Sequence, residues 1–169
     1  MKSKLTVYDI SYIMKKFRLK TVEDFADFGL RLTAIGSGCS RNVYAIRGYN
    51  LVVKIPFGDD KGELKSARRH AMQEYKAYRR IANERIKKYK PLRKYLPEIH
   101  CHTKDGLILM DKYKVVGYGK KYEKEIQEIR RHANYLFPEN DGTDMYGENI
   151  GRDAEGNLVI LDFGCFFRW

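Results

Sequence analysis

The chain has 169 residues, 43% of them hydrophobic and 13% aromatic, which is enough apolar and aromatic content for a packed core and excludes wholesale disorder. Lysine and arginine number 33 against 22 aspartates and glutamates, and the resulting +11 favours an acidic partner while leaving the fold open. No apolar run nears the ~20 residues of a bilayer crossing and no signal peptide is visible, so no membrane partner is expected. The three cysteines, Cys39, Cys101 and Cys165, are odd in number and far apart, which argues against a disulfide framework and for a cytoplasmic location.

The first thirty residues read as helical, with Thr21 and Asp24 as a capping pair opening a helix whose apolar positions are Val22, Phe25 and Phe28. Three short apolar runs follow, Leu32–Ile35, Val43–Ile46 and Leu51–Ile55. They are parted by Gly36-Ser37-Gly38 and by Gly48-Tyr49-Asn50, the punctuation of consecutive antiparallel strands. From Leu64 to Tyr89 the period turns helical, with Ala71, Tyr75, Tyr78, Ala82, Ile86 and Tyr89 on one stripe. His100–His102 and Leu107–Met110 form a further expected hairpin. A second amphipathic helix carries Tyr122, Ile126, Ile129, Ala133, Leu136 and Phe137 on one face. The tail reads as a loop, a short strand, a turn at Ala154-Glu155-Gly156-Asn157, and the strand Leu158–Leu161. This order of elements predicts an α+β fold.

Four constellations have chemical potential. Gly36-Ser37-Gly38 between two strands would let backbone amides approach an anion, although glycines between strands also simply make turns. Lys54 lies within Leu51-Val52-Val53-Lys54-Ile55; buried, its ammonium needs a carboxylate or phosphate, and on an edge strand it would face water. Glu74 sits at the border of the long helix's apolar stripe, where it either meets Lys54 or is an ordinary surface glutamate. The fourth is Asp144-Met145-Tyr146-Gly147-Glu148-Asn149, followed after a hairpin by Leu161-Asp162-Phe163-Gly164. Asn149 and Asp162 offer hard oxygen ligands for Mg²⁺, and Asp144 is placed to accept a proton from a hydroxyl, whereas Asx turns and a strand cap are the plainer use of these residues.

In chain order these pieces resemble the protein-kinase superfamily: a Gly-rich loop, a lysine in Val-Val-Lys-Ile, a helix glutamate, Asp-x4-Asn, and Asp-Phe-Gly. The resemblance covers about residues 32–164, and Cys39–Phe57 and Thr143–Gly151 are also similar to small phage-encoded serine/threonine kinases. It implies an N-terminal helical segment (1–31), a kinase-like N-lobe with an antiparallel sheet and a long helix (32–113), and a much reduced, mainly helical C-lobe (114–169). It further implies that Gly36, Ser37 and Gly38 cover the phosphates of ATP and that Lys54 contacts them while paired to Glu74. Asp144 would be the catalytic base, Asn149 and Asp162 would hold Mg²⁺, and Met110 to Tyr113 would receive adenine. Arg41 stands near the place of the loop's third glycine, Gly142-Thr143 replace His-Arg, and the sequence stops five residues after Gly164, without an activation segment. The implied function is a minimal serine/threonine kinase acting on a host protein or on itself; the alternative is a kinase-like pseudoenzyme whose basic surface grips an acidic host protein or nucleic acid.

His100-Cys101-His102 is too tightly spaced for a tetrahedral zinc site. The run Arg79, Arg80, Arg85, Lys87, Lys88, Lys90, Arg93, Lys94 is a solvated face or a dock for an acidic protein or nucleic acid. Phe166, Phe167 and Trp169 are expected to pack between lobes or against a second copy in a homodimer.

Overall fold

A computed structural model of the chain describes residues 4–117, 120–137 and 147–164. The described chain is mixed α+β, with five α-helices and eight strands: α1 (Val7–Lys16), α2 (Val22–Asp27), β1 (Leu32–Ser37), β2 (Arg41–Ile46), β3 (Leu51–Pro56), α3 (Lys61–Ala82), α4 (Lys90–Arg93), β4 (Ile99–His102), β5 (Ile108–Asp111), β6 (Lys114–Val115), α5 (Glu123–Leu136), β7 (Ile150–Arg152) and β8 (Leu158–Ile160). Among the described residues no helix is long and apolar enough to cross a membrane. The chain divides into two compact units, Met1–Ala71 with Glu98–Lys112, and Met72–Pro97 with Tyr113–Trp169. The sequence pattern separates 1–31 from the strands; in the structure those residues belong to the same unit as the strands, and α3 is shared between the units.

The first unit is built on an antiparallel five-stranded sheet in the order β1-β2-β3-β5-β4. Both leading helices open on reciprocal capping boxes, Thr6 with Asp9 and Thr21 with Asp24, each side chain satisfying a backbone N–H that the helix itself leaves unbonded. Their inward residues Ile10, Met14 and Phe25 join Ile46, Val53, Leu107 and Leu109 in one apolar core. Strand β1 bulges where Ala34 opposes Tyr44 and Gly36 opposes Val43, leaving Ile35 without an opposite number and half exposed. All six residues of β3 are buried, as befits the middle strand.

The second unit holds a three-stranded antiparallel sheet, β6-β7-β8, closed by a turn whose Gly156 takes φ +91°. Ile150, Leu158 and Ile160 from the sheet pack with Ala77 and Ile81 of α3, Leu92 of α4, Ile126, Ile129 and Ala133 of α5, and Phe163. The Ile160 N–H donates to the Tyr95 carbonyl at 2.7 Å, tying the strand to the segment after α4.

Two expectations need correction. Helix α3 stops at Ala82, not Tyr89, although neither glycine nor proline marks the place. The cause lies in tertiary structure: the Arg93 guanidinium donates to the carbonyl of Ile81 (2.9 Å), one of those the helix terminus leaves orphaned, and to those of Asn83 (2.7 Å) and Ile86 (2.6 Å) in the turn beyond it. The buried stripe of α3 accordingly runs through Ala67, Ala71, Glu74, Ala77 and Ile81, with Tyr75 and Tyr78 only half-buried.

Candidate functional site

In the first unit, Gly36 and Ser37 complete β1 and Gly38 starts the turn to β2. The Gly38 N–H donates to the Arg41 carbonyl at 2.8 Å, and Ser37 Oγ donates to Asn42 Oδ1 at 2.8 Å, so the hairpin closes without help from either glycine's freedom. Neither Gly36 nor Gly38 has a positive φ. A Cβ on Gly36 would come no closer than 3.9 Å to Val43 Cβ, and one on Gly38 no closer than 3.8 Å to the Arg41 carbonyl. Both are exposed. The turn-forming reason for glycine therefore fails at both positions.

Lys54 lies on the central strand, opposite Val43 on β2 and Ile108 on β5, and is only 6% exposed. The edge-strand alternative is thereby removed: a lysine costs too much to bury there unless its ammonium is partnered. Met110 is a core residue of β5, 2% exposed and opposite Val52 and Ile99, and the chain from Met110 to Tyr113 runs across the boundary of the two units. Arg41, near the third-glycine place, is buried in the sheet opposite Pro56. Burial, aided by the charges of Arg69 and then Arg41, holds the His70 imidazole below its ordinary pKa.

In the second unit, Glu74 is 1% exposed, which overturns its reading as a surface glutamate. Its Oε1 accepts the Phe163 N–H at 3.4 Å, and the Phe163 ring meets Tyr78 edge-on at 5.8 Å. Asn149 ends a 3-10 turn, Gly147–Asn149, that leads into β7. Its carbonyl accepts the Leu161 N–H at 2.8 Å, so the pairing that ends the β7–β8 hairpin sets Asn149 beside the residue preceding Asp162. The Asp162 Oδ1 accepts the Gly164 N–H at 2.7 Å, an Asx turn that orients the carboxylate; both Asn149 and Asp162 keep partial solvent access. Asp144 lies outside the described residues, as do Cys165 and the terminal Phe166, Phe167 and Trp169.

Two glycines that the motifs do not single out hold this hairpin end together. The Gly117 N–H donates to the Gly147 carbonyl at 3.0 Å, and a Cβ on Gly147 would fall 1.8 Å from the Gly117 carbonyl oxygen. A Cβ on Gly151 would fall 2.8 Å from Tyr113 Cβ and 2.9 Å from Leu161 Cδ2, so Tyr113 and Leu161 close over that glycine. The glycine spacing is visible in the sequence; what packs on it is not.

His100, Cys101 and His102 lie in β4, as the sequence pattern predicts. His100 Nε2 lies 2.8 Å from Asp111 Oδ1, and Cys101 is buried with its thiol near the Ser11 carbonyl. Burial, with a smaller contribution from the Lys15 charge, pulls His102 from 6.5 down to about 4.

No protein-family model matches the chain, and no curated protein matches its sequence.

Proposed function

We propose that the chain is a protein-kinase-like phosphotransferase that uses ATP and Mg²⁺ to phosphorylate a serine or threonine hydroxyl of a protein. The observation that carries this reading is the exposed pair Gly36 and Gly38, for which neither backbone conformation nor packing requires glycine. Close approach of the backbone to a ligand is the remaining reason for such residues; since the Gly38 N–H is taken by the Arg41 carbonyl, it is the absence of a Cβ at two exposed positions that leaves room for a phosphate chain to approach. The burial of Lys54 and of Glu74 supports it, since buried ions are retained where they are paired or used. Asn149 and Asp162 fit Mg²⁺, which takes one or two carboxylates from a protein and fills the rest of its shell with waters and phosphate oxygens. When bound, the metal supplies charge neutralisation for the phosphates.

In this reading Lys54 contacts the phosphates and Gly36, Ser37 and Gly38 cover them. Asp144 takes the proton of the acceptor hydroxyl as its oxygen bonds to the γ-phosphorus and the bond to the β-phosphate oxygen breaks, releasing ADP. Met110 to Tyr113 receive the adenine. Catalysis is then positioning and electrostatics, with little covalent chemistry asked of the protein.

A second reading, a kinase-like binding protein without phosphotransfer, draws on the backbone N–H groups that the Glu74 and Asp162 carboxylates already accept within their own unit. Thermal melting with and without ATP and Mg²⁺, followed by transfer of labelled γ-phosphate to casein and to the chain itself, separates the two. The enzyme shows a rise in Tm that Lys54→Met removes, together with label transfer. The binding protein shows no label transfer with either chain.

A further inference from the structure

The basic run of residues 79–94 is not one surface, and the structure sorts its members. Arg93 is committed to three backbone carbonyls. Lys94 is committed to Tyr95 and Glu128, with Nζ 3.2 Å from Glu128 Oε1; Tyr95 first and then Glu128 raise its pKa, and Lys94 in turn lowers that of Glu128. Arg80 has an interaction partner of its own, which leaves Arg79, Arg85, Lys87, Lys88 and Lys90, all exposed, with Glu84 the single acid between residues 79 and 90. The macrodipole at the C-terminal end of α3 accounts for cations in its last turn, hence for Arg79. It does not account for Arg85, Lys87, Lys88 and Lys90, which lie beyond the helix.

This stretch is a compact, tied turn. The Ile86 N–H donates to the Asn83 carbonyl, the Tyr89 N–H donates to the Ile86 carbonyl, and the Arg93 guanidinium spans Ile81, Asn83 and Ile86. Its apolar residues point away from water: Ile81 and Tyr89 are buried and Ile86 packs against the core of the unit. What the turn presents is therefore charge with no apolar or aromatic centre. A protein interface of any affinity needs such a desolvated centre, and a single-strand platform needs exposed rings for stacking. A duplex phosphate backbone needs neither.

We propose that the turn from Arg79 to Lys90 is a sequence-independent contact surface for the phosphate backbone of double-stranded nucleic acid. This stands apart from the phosphotransfer reading, since none of these five residues belongs to that machinery.

The test is fluorescence anisotropy of a labelled 20-base-pair DNA duplex titrated with the full chain at 50–200 mM salt. Five neutralised phosphates predict a slope of log affinity on log salt of about −4.5, a loss of about 500-fold over that range. Arg85→Gln, Lys87→Gln and Lys88→Gln together should reduce the slope to about −1.8 and the loss to about 12-fold. A control with three exposed lysines of the other unit replaced, Lys15→Gln, Lys16→Gln and Lys20→Gln, should behave as the unsubstituted chain. Equal slopes for the two triple variants, or absence of binding at 50 mM salt, overturn the proposal. Competition by polyglutamate as effective as competition by unlabelled duplex reassigns the surface to an acidic protein and also overturns it. So does a strong preference for a single strand of the same length.

Discussion

Gly147 is the residue on which the hairpin end carrying Asn149 depends most sharply. Its replacement by alanine places a Cβ 1.8 Å from the Gly117 carbonyl oxygen and 2.5 Å from the carbonyl carbon, where relaxed contact needs ~3.5 Å. The obstacle is backbone, so no rotamer change relieves it, and the two segments must part by more than about 1 Å. That movement forfeits the Gly117 N–H bond to the Gly147 carbonyl, now 3.0 Å long. Overpacking costs about 1–3 kcal/mol and the lost bond about 1 kcal/mol, for a sum near 3 kcal/mol. In a chain of this size that lowers Tm by about 6–12 °C. Because Asn149 lies two residues on, the Mg²⁺-dependent rise in Tm with ATP that the proposed function entails should shrink as well. Gly156→Ala is the comparison: Gly156 has φ +91° but nothing within 4 Å, so strain of ~1 kcal/mol is the whole cost and nucleotide binding should stand. Differential scanning calorimetry with and without ATP and Mg²⁺ reads both quantities. A Gly147→Ala chain that melts within 2 °C of the unsubstituted one would refute the packing on which this hairpin end is argued to rest.

Gly36→Ala with Gly38→Ala should leave Tm unchanged or slightly raised, because neither Cβ meets an atom closer than 3.8 Å, while ATP affinity measured by calorimetric titration should fall; intact affinity would remove the phosphate-covering role. His102 binds its proton less readily when folded, at about 4, than when unfolded, at about 6.5, so the stability present above pH 6.5 is lost as pH falls toward 4. About 2 kcal/mol of it should go between pH 7 and pH 5, and His102→Gln should flatten that part of the urea-melt profile. Arg93→Ala should cost about 2–4 kcal/mol in urea unfolding, since its bonds to three carbonyls are charge-assisted and not additive. Arg93→Lys should recover only part of that, because an ammonium cannot reproduce the planar fork.

The parts of this fold that are legible from the sequence are those decided locally. Thr21 with Asp24 announces α2 because both halves of a capping box sit within one turn, and Thr6 with Asp9 opens α1 by the same device. The strands β1 to β3 are legible because apolar runs are broken by glycine-containing turns. What is not legible is decided at a distance. The end of α3 at Ala82 is made by Arg93, which no local signal links to it. Alternation gives Lys54 a face, yet whether β3 is an edge or a centre depends on its pairing with β5, more than fifty residues downstream. For Glu74 the sequence leaves a surface glutamate and a partnered one open, and its burial beside the Phe163 N–H, far along the chain, is what removes the first. The same holds for the basic run, where Arg93 and Lys94, which bond to carbonyls and to Glu128, look identical in the sequence to Arg85 and Lys87 beside them. Even the length of the glycine hairpin's strand is displaced, since the bulge at Ile35 carries Gly36 and Ser37 into β1 and leaves the turn to Gly38-Cys39-Ser40.

The proposed function requires Lys54, Asn149 and Asp162 each to be needed for binding a Mg²⁺ nucleotide. Isothermal titration of the chain with ATP in the presence and absence of Mg²⁺, repeated with Lys54→Met and with Asp162→Asn, tests it most directly. Saturable, Mg²⁺-dependent binding is expected in the unsubstituted chain, and both substitutions should abolish it while the far-UV circular dichroism spectrum is unchanged. Absence of binding, or binding that survives either substitution in full, would contradict it.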